Sequence, residues 1–246
     1  VTFLSTKERI APPPAQKTRP LEDIRDLLHN RPWLILFALA MIIMMTFTMR
    51  AGSSYYYFYY YVERPELLPD YLFWQMIAYA AGALLAPVMT RYVDKAKLLM
   101  LLMGTVGALS ILFYFVPKDM IWAMFTLNIL ISLALGPKSP LTWSMYADTA
   151  DYNEWKHGRR ATAMTFSAAT FAQKLGGSLG SAGMLWILAA IGYAANQAQS
   201  GASQTGIALL QTALPGVFAF IAVVVISFYD LTGKQLERIQ QELRER

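Results

Sequence analysis

Three cations stand where so apolar a chain gives little reason to keep them. Lys174 is the one charged residue between Phe166 and Tyr193; Arg50 follows the apolar run that opens at Trp33; Lys138 stands in "LGPKSPLTW", close to Gly136, Pro137 and Pro140. A charged side chain at bilayer depth costs roughly 3 kcal/mol on insertion scales, so it normally faces a cavity or a partner. Lys174 lies about thirteen residues into its apolar run, roughly 20 Å at 1.5 Å per residue, and a lysine stem cannot snorkel that far. Ser167, Thr170, Lys174, Ser178 and Ser181 follow three- and four-residue steps and stack into one polar stripe. That stripe reads as the wall of a water-filled cavity; the competing reading is helix-to-helix glue around a static buried lysine. Gly176 and Gly180 form a GxxxG step, the usual mark of close helix packing.

Arg50 precedes an aromatic cluster, "AGSSYYYFYYY". Arg50, Ser54, Tyr57 and Tyr61 share approximate helical spacing, so a guanidinium and phenolic hydroxyls are expected to face one volume. Aromatic faces with nearby donors suit a sugar, whose C–H face packs on a ring while its hydroxyls take hydrogen bonds. The outer tyrosines, Tyr60 and Tyr61, fit an interfacial belt equally well. Around Lys138 the prolines remove helical hydrogen bonds and predict a kinked or broken span, as in transporters; the alternative is a helix that ends there with Lys138 at the interface.

The elements that must hold these residues follow from composition. The chain has 246 residues, 56% hydrophobic and only 15% charged, against about 25% charged in soluble domains. A transmembrane helix needs roughly 20 apolar residues. Six runs qualify: Trp33 to Tyr61, Tyr71 to Met89, Leu98 to Phe115, Ile121 to Trp143, Ala161 to Ile191 and Ile207 to Tyr229. The fold expected is an all-α membrane bundle of six helices over residues 33–230. Before it stands a linker, 1–32, whose "PLEDIRDLLHN" gathers Leu21, Ile24, Leu27 and Leu28 on an amphipathic face suited to the membrane interface. After it comes a tail, 231–246, that repeats the pattern with Leu236, Ile239 and Leu243.

Basic segments alternate with poorly basic ones. Lys7 to Arg31, Arg91 to Lys97, Lys156 to Arg160 and Lys234 to Arg246 carry the Lys and Arg, whereas "VERPELLPD" is net acidic and "AANQAQSGASQTG" uncharged. The positive-inside rule then places both termini in the cytoplasm. The net charge of +5 is spread over separate loops, a topology signal that does not call for a nucleic-acid partner. With no cysteine, thiol catalysis and Cys-ligated metals are excluded. His29 and His157 lie outside the spans and no carboxylate pair lies within one, so neither a membrane enzyme nor a metal site is expected. No Asp or Glu interrupts any expected span, leaving the buried cations without partners from this chain's own spans. A second protein segment, an anionic ligand, or both must supply the acid.

The stretch "DTADYNEWKHGRRATAMTFSAATFAQKLGG", residues 148–177, resembles the C-terminal half of the glycoside-pentoside-hexuronide:cation symporters of the major facilitator superfamily. Asp148, Asp151, Tyr152, Glu154, Lys156, Arg160 and Lys174 match that family in type and spacing, and the likeness extends over essentially the whole chain. The resemblance implies a carrier of two six-helix halves, with sugar bound between them near the midplane and movement coupled to Na⁺ or H⁺. It implies an inner-membrane location, no cofactor, and an N-terminal half holding the cation-site carboxylates. Lys174 and Thr170 would line the sugar site, joined on the residue reading by Arg50, Tyr57 and Ser167. Asp148, Asp151 and Arg160 would take the place of the charged residues that close the cytoplasmic side. The melibiose permease of that family aligns an aromatic residue with Ser139, a departure that puts stacking from this helix in doubt. The alternative expectation is a truncated or orphan membrane subunit without transport of its own.

Overall fold

The computed structural model describes residues 20–158 and 162–245; of the expected features, Arg160 and the first basic segment up to Arg19 lie outside them. Among the described residues every regular element is a helix. Helix α1 (Pro20–Leu28) leads through Asn30 into α2 (Arg31–Tyr56). The Asn30 side chain accepts from the Trp33 amide at 3.1 Å, and the proline just inside the helix has no N–H to leave unpaired. Tyr57–Tyr61 continues as a π-helical turn. A short 3₁₀ turn, Pro65–Leu67, opens α3 (Leu68–Met89), and α4 (Lys95–Tyr114) starts at Asp94, whose carboxylate accepts from the Ala96 amide at 3.1 Å. Helices α5 (Ile121–Leu135) and α6 (Lys138–His157) are separated by Gly136 and Pro137, and α6 ends at Gly158, which takes the left-handed conformation (φ +67°) that a glycine reaches without strain. The remainder is α7 (Thr162–Ala190), α8 (Gly201–Gln211), α9 (Ala213–Ser227) and α10 (Gly233–Arg244).

Among the described residues, five segments are long and apolar enough to cross a membrane: Arg31–Tyr61, Pro65–Met89, Lys95–Tyr114, Ile121–His157 and Gly201–Ser227. The sixth expected span corresponds to α7, which has the length, at 29 residues, but whose serines, glycines, Gln173 and Lys174 dilute its apolar character. Five of the six expected spans thus have the length and composition a crossing needs, and α7 has the length alone.

Glycines set the closest helix crossings. Helices α2 and α7 run parallel: a Cβ on Gly176 would collide with the Met41 backbone, and one on Gly180 with Met45 and Thr48. The GxxxG step is a packing surface, as its spacing indicates. Gly82 of α3 and Gly136 make the same kind of contact, each with backbone of the opposing segment, so α3 and the α5–α6 break lie backbone to backbone.

The ends of the bundle differ. Asn30 donates to the Thr149 carbonyl at 3.1 Å, Lys95 pairs with Asp148 and Gly233 donates to Asp94, which gathers the start of α2, the α3–α4 loop, the end of α6 and α10 at one end. At the other, the Tyr193 hydroxyl donates to that of Tyr60 at 3.1 Å. The described basic segments thus share one end, as their alternation along the chain requires.

Candidate functional site

Arg50 is turned into the bundle, 4% exposed. Its guanidinium donates to Asn128 Oδ1 of α5 at 3.0 Å and to Ser110 Oγ of α4 at 3.5 Å. The Asn128 amide donates in turn to the Tyr71 carbonyl of α3 at 3.1 Å. A second branch runs through Gln211 of α8, which donates to the Tyr71 hydroxyl at 3.1 Å and accepts from Ser53 at 2.6 Å and Ser54 at 3.3 Å. Every partner of Arg50 here is neutral, and no carboxylate among the described residues pairs with it. Its charge is hydrogen-bonded but not neutralised, the condition under which a buried cation seeks an anion.

Lys138 opens α6 directly after the Gly136–Pro137 break. The interruption expected from the prolines is present, and the lysine points inward instead of reaching an interface: it is 8% exposed, with its ammonium 5.7 Å from the centre of the Phe47 ring. It lines two cavities. One, of about 120 Å³, also takes Arg50, Gln75, Ser110 and Ser132 among mostly apolar walls. The other, of about 200 Å³, takes Ser139, Thr142, Trp143 and Gln173. The Oε1 of Gln75, 9% exposed, is buried without a hydrogen-bond partner.

The α7 stripe has a different placement. Ser167, Thr170, Lys174, Ser178 and Ser181 are all exposed on the outside of the bundle, on the face turned away from the buried Gly176 and Gly180. Thr170 bonds only back to the Phe166 carbonyl, at 2.9 Å. Tyr57 does not join Arg50. It is fully buried two turns further along α2, about 10 Å on the axis, with its hydroxyl donating to Met124 Sδ at 3.8 Å and its ring stacked on Tyr61. Same-face spacing held; depth separated them. Of the five expected binding residues, Ser167, Thr170 and Lys174 stand together, Arg50 joins Lys138 in a separate cavity, and Tyr57 touches neither group.

At the basic end, Asp148 Oδ2 takes the Lys95 ammonium at 2.6 Å. Asp151 accepts from Gln240 of α10 at 3.1 Å, and Trp155 donates to Glu242 at 2.6 Å, while Ile239 is buried beneath. Both acids expected at a gate therefore have partners inside this bundle. Sequence reading missed Lys95, Gln75 and Asn128: neutral amides in an apolar run and a lysine in a basic loop give no one-dimensional sign of what they face.

Uncompensated cations at depth, a broken helix between two cavities and a polar stripe on an outer helix face define a polytopic membrane protein of the carrier type. The chain belongs to the MFS/sugar transport protein family, matched over residues 1–233, a family of secondary transporters and not of enzymes. It is 30% identical to the inner membrane symporter YicJ of Escherichia coli K12, across 98% of this chain and 53% of that protein. To the putative glycoside/cation symporter YagG of the same strain it is 30% identical, across 99% and 53%. To that organism's glucuronide carrier protein homolog it is 29% identical, across 100% and 54%. The likeness to glycoside-pentoside-hexuronide:cation symporters read from residues 148–177 is borne out. The chain spans about half the length of the curated relatives it matches.

Proposed function

We propose that this chain is the C-terminal half of a carrier that moves a glycoside, pentoside or hexuronide together with Na⁺ or H⁺ across the inner membrane, both termini being cytoplasmic. A six-helix N-terminal half completes it and brings the cation-site carboxylates. The observation that carries the reading is the outward α7 stripe: an intramembrane lysine, flanked by hydroxyls at helical spacing, exposed on a bundle half as long as its symporter relatives. Exposed to hydrocarbon, that stripe is costly; facing a second half across water and sugar, its cation and hydroxyls are satisfied. On this reading Lys174, Thr170 and Ser167 form one wall of the central site. On the same reading Asp148, Asp151 and Arg160 take the part of the charged residues that close the cytoplasmic side.

The test is sugar accumulation in proteoliposomes holding this chain with a six-helix N-terminal half under an imposed Na⁺ or H⁺ gradient. Accumulation should follow the gradient, and Lys174→Ala should abolish it by at least tenfold while leaving the protein folded. Normal accumulation by that variant overturns the site, and uptake indifferent to both gradients overturns symport.

A further inference from the structure

The cavity between Arg50 and Lys138 is built entirely within this chain, and its chemistry is unbalanced in a specific way. Two cations line it, 4% and 8% exposed, and among the described residues neither has an ion pair. Arg50 donates to Asn128 and Ser110 and also meets the Tyr71 hydroxyl, and a guanidinium has five donors, so donors remain for the cavity. Among the described residues Lys138 has the face of Phe47 as its partner, and as the first residue of α6 it adds its charge to the positive end of that helix. Opposite charge is what the cavity lacks. Gln75 adds the converse demand: its buried Oε1 is an acceptor with no donor. The volume, about 120 Å³, is several times what a single water needs, so the imbalance has room for more than solvent.

A halide would answer both cations and leave Gln75 unanswered. A neutral sugar would answer Gln75 and leave two buried charges. We infer that the cavity binds a small hydroxylated organic anion, a carboxylate or sulfonate with at least one hydroxyl, its anionic group between Arg50 and Lys138 and a hydroxyl donating to Gln75. Lys138 also lines the neighbouring cavity, whose wall includes Gln173 of α7. That the ligand is cargo rests on the transport reading; that it binds does not, because no residue of another half is required.

The two can therefore be tested apart. Equilibrium dialysis of labelled D-glucuronate against the purified full chain in lipid nanodiscs, without any N-terminal half, reads binding alone. Glucuronate should bind at least tenfold more tightly than D-glucose, and chloride at equal concentration should not displace it. Lys138→Met, which keeps the length of a side chain that makes no hydrogen bond, should weaken glucuronate at least tenfold. Lys118→Gln, in an exposed loop, controls for general loss of charge. Gln75→Leu should remove the preference for glucuronate over acetate, and unchanged helical circular dichroism and melting establish that each variant is folded. Equal binding of glucuronate and glucose, equal displacement by chloride, or indifference to Lys138→Met overturns the proposal, as does absence of binding by the folded chain. Binding that persists where coupled accumulation fails sinks the transport reading and leaves this one standing.

Discussion

Asn128 is the residue on which the placement of Arg50 depends. It accepts from the guanidinium at 3.0 Å and donates to the Tyr71 carbonyl at 3.1 Å, so one amide locks a charge on α2 to the backbone of α3. A hydrogen bond to a charged group contributes about 1.5–3 kcal/mol, and deleting its partner leaves the charge buried with less to hold it. Asn128→Leu, with the same number and branching of side-chain heavy atoms, should therefore lower unfolding free energy by about 1.5–3 kcal/mol in denaturant titrations of the chain in mixed micelles. Ser110→Ala, removing a contact at the 3.5 Å limit, should cost clearly less. Equal losses would mean that Arg50 is held by packing and not by Asn128. The three cations were legible in the sequence because a charge in an apolar run has few explanations. Asn128, Gln75 and Gln211 were not, since an amide on a helix shows no partner until another helix is laid against it.

At the scale of elements, the helix that carries Lys174 is positioned by its opposite side. Gly176 sits against the Met41 backbone and Gly180 against Met45 and Thr48, so α7 can turn its polar residues outward only because α2 approaches the smooth side. Gly176→Ala places a methyl where backbone already is, and overpacking of this kind costs about 1–3 kcal/mol. Gly183, on the same helix, has nothing within 4 Å of its would-be Cβ; there alanine should raise stability by about 0.4–1 kcal/mol through the unfolded chain. Melting of the two variants followed by circular dichroism should show opposite shifts, and a shift of the same sign in both would detach the GxxxG step from the α2–α7 crossing. The spans and the GxxxG contact were readable from hydropathy and spacing. The π-helical turn at Tyr57–Tyr61 was not, and the division of Gly201–Ser227 into α8 and α9 at Thr212 falls just before Pro215, which cannot donate to the Gln211 carbonyl, a local signal the hydropathy of the run covers over.

At the scale of the molecule, the question is what medium meets the outer face of α7. Thr170 and Leu179 are both exposed, yet nine residues of helix put them on opposite sides, one on the polar stripe and one on apolar surface. Bare exposure in the bundle does not distinguish them; water and hydrocarbon do. The chain has no cysteine, so a single one placed at either position reports without background. A thiol reacts as its thiolate, which forms in water and is suppressed in hydrocarbon. With a cysteine-free N-terminal half present, Thr170→Cys should react with a membrane-impermeant maleimide in sealed vesicles at least tenfold faster than Leu179→Cys, and a transported sugar should slow the first without affecting the second. That outcome places a water-filled, sugar-accessible cavity against α7 and gives Lys174 a solvated site in the middle of a membrane. Equal rates at the two positions would put the stripe against lipid or a packed helix, and the lysine would then be a structural charge with no part in carrying sugar.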